Sequence, residues 1–407
     1  IKCASPGHMS IERRVRDIYA RLPYPPPSSR MRPTWTLPAL KWIDALRENP
    51  EGLDPSRILV AGCGVGTEAF TLARRFPRAE IVAVDFSERS IRTAKKMRRE
   101  AKLDGRVRFE VADLSSRNLI RTTGDDFDLV TCHGVLSYIP DVVAVLRNFK
   151  RALSPSGTLV LGVNGASHPS VRSRRMLPLF GISPEEFEDG DRVRDVLRIF
   201  DCLIEYPRLP MADREAVLLA GDIFGPLNHS LPLGEWSAFL DRAHLHLLGG
   251  YHAFFANRAL FNYDLHLRIM PRSRREMTEL TDTLQPASFH SLIVSRRAPS
   301  SVPWLEPRRI FEWRPLRTRL YRVRWPHGKS APQNLRTVTL TSASTRTRVE
   351  LRVPQWNIEI LRQADGKQTV REIIAPLKAR IAPKAVAEAT YLLYQLAAMN
   401  LLPPESS

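Results

Sequence analysis

The clearest pattern along the chain is a series of short apolar blocks separated by amphipathic stretches. Arg57–Ala61 (RILVA) is a continuous β-type run, and Thr67–Phe76 has helical spacing. Glu80–Val84 reads as a second strand. Ser87 then offers an N-cap for a helix reaching about Ala101, with Ile91, Ala94 and Met97 on its buried face. Val107–Val111 and Phe127–Cys132 supply the third and fourth strands, Asp141 caps a helix over Val142–Leu153, and Thr158–Val163 supplies the fifth strand. Strands rich in Val, Ile and Leu that alternate with helices predict βαβ units. The expected fold is α/β: a doubly wound, mostly parallel Rossmann-like sheet with both faces covered.

Outside this core, residues 51–165, the pattern changes. Residues 1–8 read as a cloning scar, because Gly7-His8-Met9 is what a cloning junction leaves. Residues 9–50 read as an N-terminal cap with a proline-rich turn at Leu22–Pro27, followed by Leu37, Leu40, Ile43 and Leu46 at helical spacing. After Asn164-Gly165 the rhythm breaks. Residues 166–297 read as a substrate-side helical insertion that returns to the sheet. It has helical patterns at Pro184–Phe200 and Arg214–Ala220, an amphipathic helix at Glu235–Leu248 and a late strand at Phe289–Ser295. Ala298–Pro303 has linker composition. Residues 298–407 form a basic module in which Pro354–Gln363 is helical, Asp365-Gly366 turns, Thr369 and Glu372 make a capping box, and Lys384–Met399 is helical. Three short helices beside β material predict a small winged-helix-like α+β module.

Length and charge bear on partners. The 407 residues suggest two or three domains, and 43% hydrophobic content is normal for a globular core. The net charge is +18, and from Ser301 onward 18 Lys/Arg face 8 Asp/Glu. That balance suits acidic partners. A surface solvated by arginines is the favoured explanation, since Trp304, Trp313, Tyr321 and Trp325 among the arginines match no RNA-binding signature. A nucleic-acid partner is therefore admitted but not favoured, and homo-oligomerisation stays open. Four scattered cysteines give neither a metal site nor a disulfide framework. With no signal peptide and no apolar run of about 18 residues, the expectation is a cytoplasmic protein without a membrane partner.

The candidate chemistry sits at the ends of the strands. Ala61-Gly62-Cys63-Gly64-Val65-Gly66 follows the first strand and opens a helix, and glycine lets backbone approach a ligand where a Cβ would clash. Asp85 ends the second strand, followed by Phe86, and can accept hydrogen bonds from ribose hydroxyls. Asp113 and Leu114 follow the third strand, offering a carboxylate to an adenine amino group and an apolar side chain to its face. This is the switch-point geometry of doubly wound sheets. A dinucleotide is the rival ligand, but here GxGxG is followed by Thr67-Glu68, and Glu68 would repel a pyrophosphate at the helix N-terminus. A cofactor carrying a sulfonium and an ammonium fits that charge. The expected cofactor is S-adenosylmethionine.

Over roughly residues 50–165 the chain resembles class I methyltransferases, through Arg57–Thr67 (the first motif) and Phe127–Leu136 (the fourth-strand motif). The resemblance implies that His133 and Gly134 line the cofactor and that Leu136 to Tyr138 face the methyl group. His133–Pro140 and Leu153–Gly157 also resemble bacterial protein-lysine methyltransferases with a methyltransferase regulatory domain. In that family a histidine-rich middle segment and a winged-helix-like module follow the catalytic domain. The middle segment would be Gly221–Tyr251, with Pro226–His229 and His244–Leu248, and Tyr24-Pro25 is similar to the family's N-terminal cap. Asn164-Gly165 departs from the family's usual continuation after the fifth strand.

Methyl transfer from a sulfonium is an in-line displacement that chiefly needs alignment and exclusion of water. A base is needed only where the nucleophile arrives protonated. The catalytic candidates are Tyr138 and His133; Tyr19, Tyr24, Asn164 and His229 are candidates on the acceptor side. The expected enzyme methylates an N, O or S atom of a protein side chain, lysine included, or of a small molecule. Two alternatives stand beside it. One is a small-molecule thiol or amine methyltransferase that dimerises through the C-terminal module. The other is a nucleic-acid methyltransferase using the basic tail, although no Asn/Asp-Pro-Pro-Tyr motif follows the fourth strand.

Overall fold

The computed structural model describes residues 11–21, 40, 42–43, 45–47, 53–103, 105–182, 222, 225–250, 273–300, 302, 306–328, 330–342, 348–377 and 381–404. Tyr24, Cys202 and the helical patterns expected at Pro184–Phe200 and Arg214–Ala220 lie outside them. The chain divides into two compact units. The first holds residues 1–36, 55–245 and 286–291; the second holds 37–54, 246–285 and 292–407.

The first unit is built on five parallel strands: β1 (Arg57–Ala61), β2 (Glu80–Asp85), β3 (Val107–Val111), β4 (Phe127–His133) and β5 (Leu153–Asn164). Within the first unit the order is β3-β2-β1-β4-β5, and β7 (Phe289–Ser295) pairs antiparallel with β6 (His246–Gly250). Strand order reverses between β1 and β4, so their carboxyl ends diverge and open a crevice there. Ile58–Ala61 are all buried, as central parallel strands covered on both faces must be. Helices α1 (Ile11–Arg21), α2 (Thr67–Arg75), α3 (Glu88–Glu100), α4 (Val142–Ala152) and α5 (Pro169–Met176) belong to the same unit. Ser87 and Asp141 cap α3 and α4 by accepting from the Ser90 and Ala144 N–H groups. On α3, Ile91 and Ala94 are buried as expected, whereas Met97 is half-buried.

Three element boundaries differ from expectation, and each has a local cause. β5 starts at Leu153 rather than Thr158, because pairing with β4 begins at Phe127 across a register shift. The helix expected over Glu235–Leu248 is α6 (Leu233–Arg242) followed by β6. It stops where His244 takes a left-handed φ of 55° and the Leu245 N–H returns to the Leu240 carbonyl, a closure in which His244 stands where glycine is usual. The apolar run Leu245–Leu248 therefore enters an extended conformation, and helical spacing could not reveal it.

The second unit contains α7 (Arg274–Leu284), started by a Ser273/Glu276 capping box in a stretch where no element is expected. Beyond it lie β8 (Arg314–Arg317), β9 (Tyr321–Arg324), β10 (Leu335–Ser342) and β11 (Arg348–Pro354). α8 (Gln355–Arg362), α9 (Val370–Ile374), α10 (Pro383–Gln395) and β12 (Met399–Leu402) complete it. The sheets are antiparallel, β11-β10-β9 and β12-β8. The last helix ends at Gln395, four residues before the expected Met399. Ala397 there has φ 53°, and Met399–Leu402 pairs with β8 instead. At the centre of this unit the buried Arg274 guanidinium stacks 3.8 Å over the Tyr394 ring and donates to the Tyr394 and Met399 carbonyls and to Asn400 Oδ1. Trp313 and Tyr321 are buried, and the Tyr321 hydroxyl donates to the Leu396 carbonyl, so these two aromatics pack the core. Among the described residues no helix is long and apolar enough to cross a membrane.

Candidate active site

At the carboxyl end of β1 the chain turns sharply. The Gly62 and Cys63 N–H groups both donate to the Val84 carbonyl, at 2.8 and 2.9 Å, which ties the turn to β2. Gly62, Gly64 and Gly66 have φ of 73°, 51° and 89°. A Cβ on Gly62 would stand 2.4 Å from Val135 Cγ2, and one on Gly66 would stand 2.8 Å from the Phe109 ring. Glycine is thus required there both by backbone conformation and by close approach. Ala61 and Cys63 are buried beside it, and burial first, then the Asp85 and Glu68 charges, push the Cys63 thiol well up, so it packs as a neutral group.

Asp85, at the end of β2, links the turn to its neighbour. One carboxylate oxygen accepts from the Gly64 N–H at 2.9 Å and the other from the Ser87 N–H at 2.8 Å. Burial holds the carboxyl above the usual range, and these two N–H bonds oppose that rise. After β3, Asp113 accepts from the Ser115 N–H and hydroxyl, at 2.8 and 2.7 Å, while Leu114 is buried. This loop is held from α4 by Asn148, whose amide donates to the Leu114 and Ser116 carbonyls, both at 2.9 Å. Asn148 is not among the expected site residues. Its trace in the sequence is a polar residue on the apolar face of α4.

At the end of β4, Gly134 has φ 69°, and a Cβ there would meet nothing within 4 Å, so its backbone borders open space. His133 precedes it at the last position of β4. Its ring packs on Gly162, where a Cβ would stand 2.4 Å from Nδ1, and lies 5.0 Å from the Phe289 ring. A glycine-built cradle, a carboxylate at the end of β2 and open space at the end of β4 together fit S-adenosylmethionine. Gly62, Gly64 and Gly66 would admit it, and Asp85 would take its ribose hydroxyls on the remaining lone pairs.

Facing this cradle is a second cluster. Tyr19 on α1 sets its ring edge against Phe86 (6.1 Å between centroids) and Tyr138 (6.3 Å), spanning the two sides. The Tyr138 hydroxyl donates to the buried carboxylate of Asp222 and accepts from Asn164 Nδ2 at 3.2 Å. Asn164 also donates to Asn228 Oδ1 at 3.1 Å, while its carbonyl accepts from the Trp236 indole at 3.0 Å. His229 does not join the hydroxyl. Its N–H donates to the Ser137 carbonyl at 2.7 Å, and its ring nitrogen bonds the Ile139 carbonyl at 3.1 Å. Asp222 and Asn228 are likewise absent from the expected site residues. Asn228 falls within the Pro226–His229 stretch without a role expected of it, and nothing local in the sequence marks Asp222.

Comparisons with known proteins bear on the same part of the chain. Residues 54–169 match the family model described as a methyltransferase domain. The chain is 33% identical over 158 residues to an uncharacterised protein of Rickettsia prowazekii, covering 38% of this chain and 60% of that one. It is 26% identical over 137 residues to the ubiquinone biosynthesis O-methyltransferase of Leptothrix cholodnii, covering 33% and 55%. Its fold superposes on the structure of PKMT2 from Rickettsia typhi in complex with AdoHcy, with TM-score 0.50, 16% identity and coverage of 90% of this chain and 75% of that one. Residues 54–169 are a class I S-adenosylmethionine-dependent methyltransferase domain. The chain spans 52–64% of the length of the first curated relatives it matches.

In the cluster around Tyr138 the ionisable groups are unlike free side chains. Burial first, then the charges of Asp222 and Tyr19, hold the Tyr138 phenol well above the ordinary tyrosine range. Tyr138 is therefore a neutral phenol near neutral pH and cannot serve as a phenolate base. Burial lowers the His229 imidazole, partly opposed by the Ile139 carbonyl, which favours a neutral ring engaged with the 137–139 loop.

Proposed function

We propose that this chain moves a methyl group from S-adenosylmethionine to a nucleophilic N, O or S atom of a protein side chain or small molecule, with lysine among the protein acceptors. S-adenosylmethionine supplies an electrophilic methyl group on a sulfonium. The glycine turn and Asp85 hold and orient it, Phe86 and Tyr19 screen it from water, and Tyr138 and Asn164 meet the acceptor. The observation that carries this reading is Asp85, whose carboxylate joins the Gly64 and Ser87 N–H groups at the strand ends. The resemblance of His133–Pro140 to protein-lysine methyltransferases supports a lysine acceptor. The basic C-terminal module, read as winged-helix-like, would serve acceptor docking or dimerisation in a cytoplasmic enzyme.

Tritiated S-adenosylmethionine incubated with the protein and a fractionated cell lysate tests this reading. Label should enter the protein or small-molecule fraction. Label confined to RNA or DNA would replace this reading with the nucleic-acid alternative, and label in no fraction would refute methyl transfer.

A further inference from the structure

We infer that Asp222 turns the Tyr138 hydroxyl into a proton acceptor for the methyl-accepting group, so that the site takes an acceptor that still carries a proton, such as an amine, ammonium or hydroxyl, and rejects a carboxylate. This rests on the methyl-transfer reading above and goes beyond it by assigning Asp222 as a positioning residue that acts through Tyr138.

The argument is an inventory of hydrogens. The Asn164 amide has two N–H donors, one directed to Tyr138 Oη and the other to Asn228 Oδ1. The Asn228 amide directs its own two to Ser170 Oγ at 3.0 Å and to the Asp222 carbonyl at 3.2 Å, and its Oδ1 also accepts from the Ser230 hydroxyl at 2.9 Å. The Ser170 hydroxyl, accepting from Asn228, meets His168 Nδ1 at 2.7 Å, and that nitrogen also accepts from the Ser170 N–H. Each amide is thereby fixed in orientation. Asn164 can present only an N–H to Tyr138, so the phenol oxygen must accept on that side, and its own proton lies on the line to Asp222 Oδ1. The face of Tyr138 left for an incoming group offers oxygen lone-pair density, not a donor.

Charge points the same way. Among the described residues, the ionisable groups around the Tyr138 hydroxyl are Asp222 and Tyr19, with His229 held to the adjacent 137–139 loop and His168 beyond Ser170. None of these is an arginine or lysine that would welcome a carboxylate. A buried carboxylate behind a lone-pair donor favours a cation or a neutral group with a proton to give. In the reaction, the acceptor atom attacks with a lone pair, which an ammonium gains only by first giving up a proton; that pair forms the bond to the methyl carbon, and the pair of the breaking carbon–sulfur bond stays on sulfur. The proton of the acceptor atom passes to Tyr138 Oη as the Tyr138 proton passes to Asp222, so Tyr138 ends neutral and Asp222 protonated. Asp222 then returns that proton to solvent.

The test uses the full chain labelled with 13Cζ-tyrosine and saturated with S-adenosylhomocysteine, the Tyr138 resonance being identified by its loss in Tyr138→Phe. Butylammonium chloride should shift that resonance, and sodium butyrate at the same ionic strength should leave it in place. In Asp222→Asn the butylammonium response should weaken by roughly tenfold. The midpoint of Tyr138 ionisation should also fall, because the charge that raises it is gone; a merely structural role for Asp222 would not move it. A resonance indifferent to butylammonium, or equally responsive to butyrate, overturns the inference in the unmodified protein even if the variant does not fold. Calorimetric binding of S-adenosylhomocysteine is read on the same sample. Failure there removes the methyl-transfer reading itself, whereas normal binding with the wrong Tyr138 response removes this inference alone.

Discussion

The two sides of the methyltransferase site are made of different materials. At the ends of β1 and β2 the cradle is backbone: glycines with positive φ, two N–H groups on the Val84 carbonyl and two on Asp85. At the ends of β4 and β5 the site is side chain. A phenol, two amides and a carboxylate come together from Tyr138, Asn164, Asn228 and Asp222. A backbone cradle binds what every member of a cofactor class shares, and its geometry tolerates few substitutions. A side-chain network can be rewired without disturbing the strands, so we propose that acceptor choice belongs there. The two sides should therefore fail independently when they are altered.

The largest effect is expected at Gly62. Gly62→Ala forces a Cβ against Val135 in a left-handed conformation and should cost about 2–5 kcal/mol of stability together with cofactor binding. Thermal unfolding checks this, and an unchanged Tm would mean that the turn is not as tight as the structure has it. Next is Asp85→Ala, which should weaken S-adenosylmethionine by about 1.5–3 kcal/mol through lost charge-assisted hydrogen bonds, as read by calorimetry. On the other side, Asn164→Ala strips donors from Tyr138 and Asn228 and should destabilise by about 1–3 kcal/mol while S-adenosylmethionine affinity stays level. A parallel loss of cofactor affinity would show that the two sides are one. The smallest effect is expected for Asn148→Ala, which frees the loop after β3 and should lower cofactor affinity by about 0.5–1.5 kcal/mol.

The same contrast explains what could be read from the sequence. The parallel strands, their order of appearance, the caps at Ser87 and Asp141 and the glycine turn were legible because each rests on neighbours in the chain. The ends of α6 and α10 were not, since His244 and Ala397 adopt left-handed turns without glycine, and only sheet pairing reveals the strands that follow. Tyr138 and Asn164 could be singled out by their places after β4 and at the end of β5. Asp222, Asn228 and Asn148 could not, because a buried polar residue declares its role only through a partner far along the chain. Ring packing was equally hidden: nothing near His133 in sequence indicates that it lies over Gly162 and Phe289.

The central claim is that Asp85 and the glycine turn form an S-adenosylmethionine site, and calorimetric titration of the unmodified protein across pH tests it most directly. Burial raises the Asp85 carboxyl above its ordinary 3.8, and its ionised form is the one that accepts from N–H groups and ribose hydroxyls alike. One saturable site per chain is expected, with affinity constant near neutrality and falling as pH drops through that raised range, and with this pH dependence absent in Asp85→Ala. No saturable binding, or a pH dependence that survives Asp85→Ala, would contradict the account.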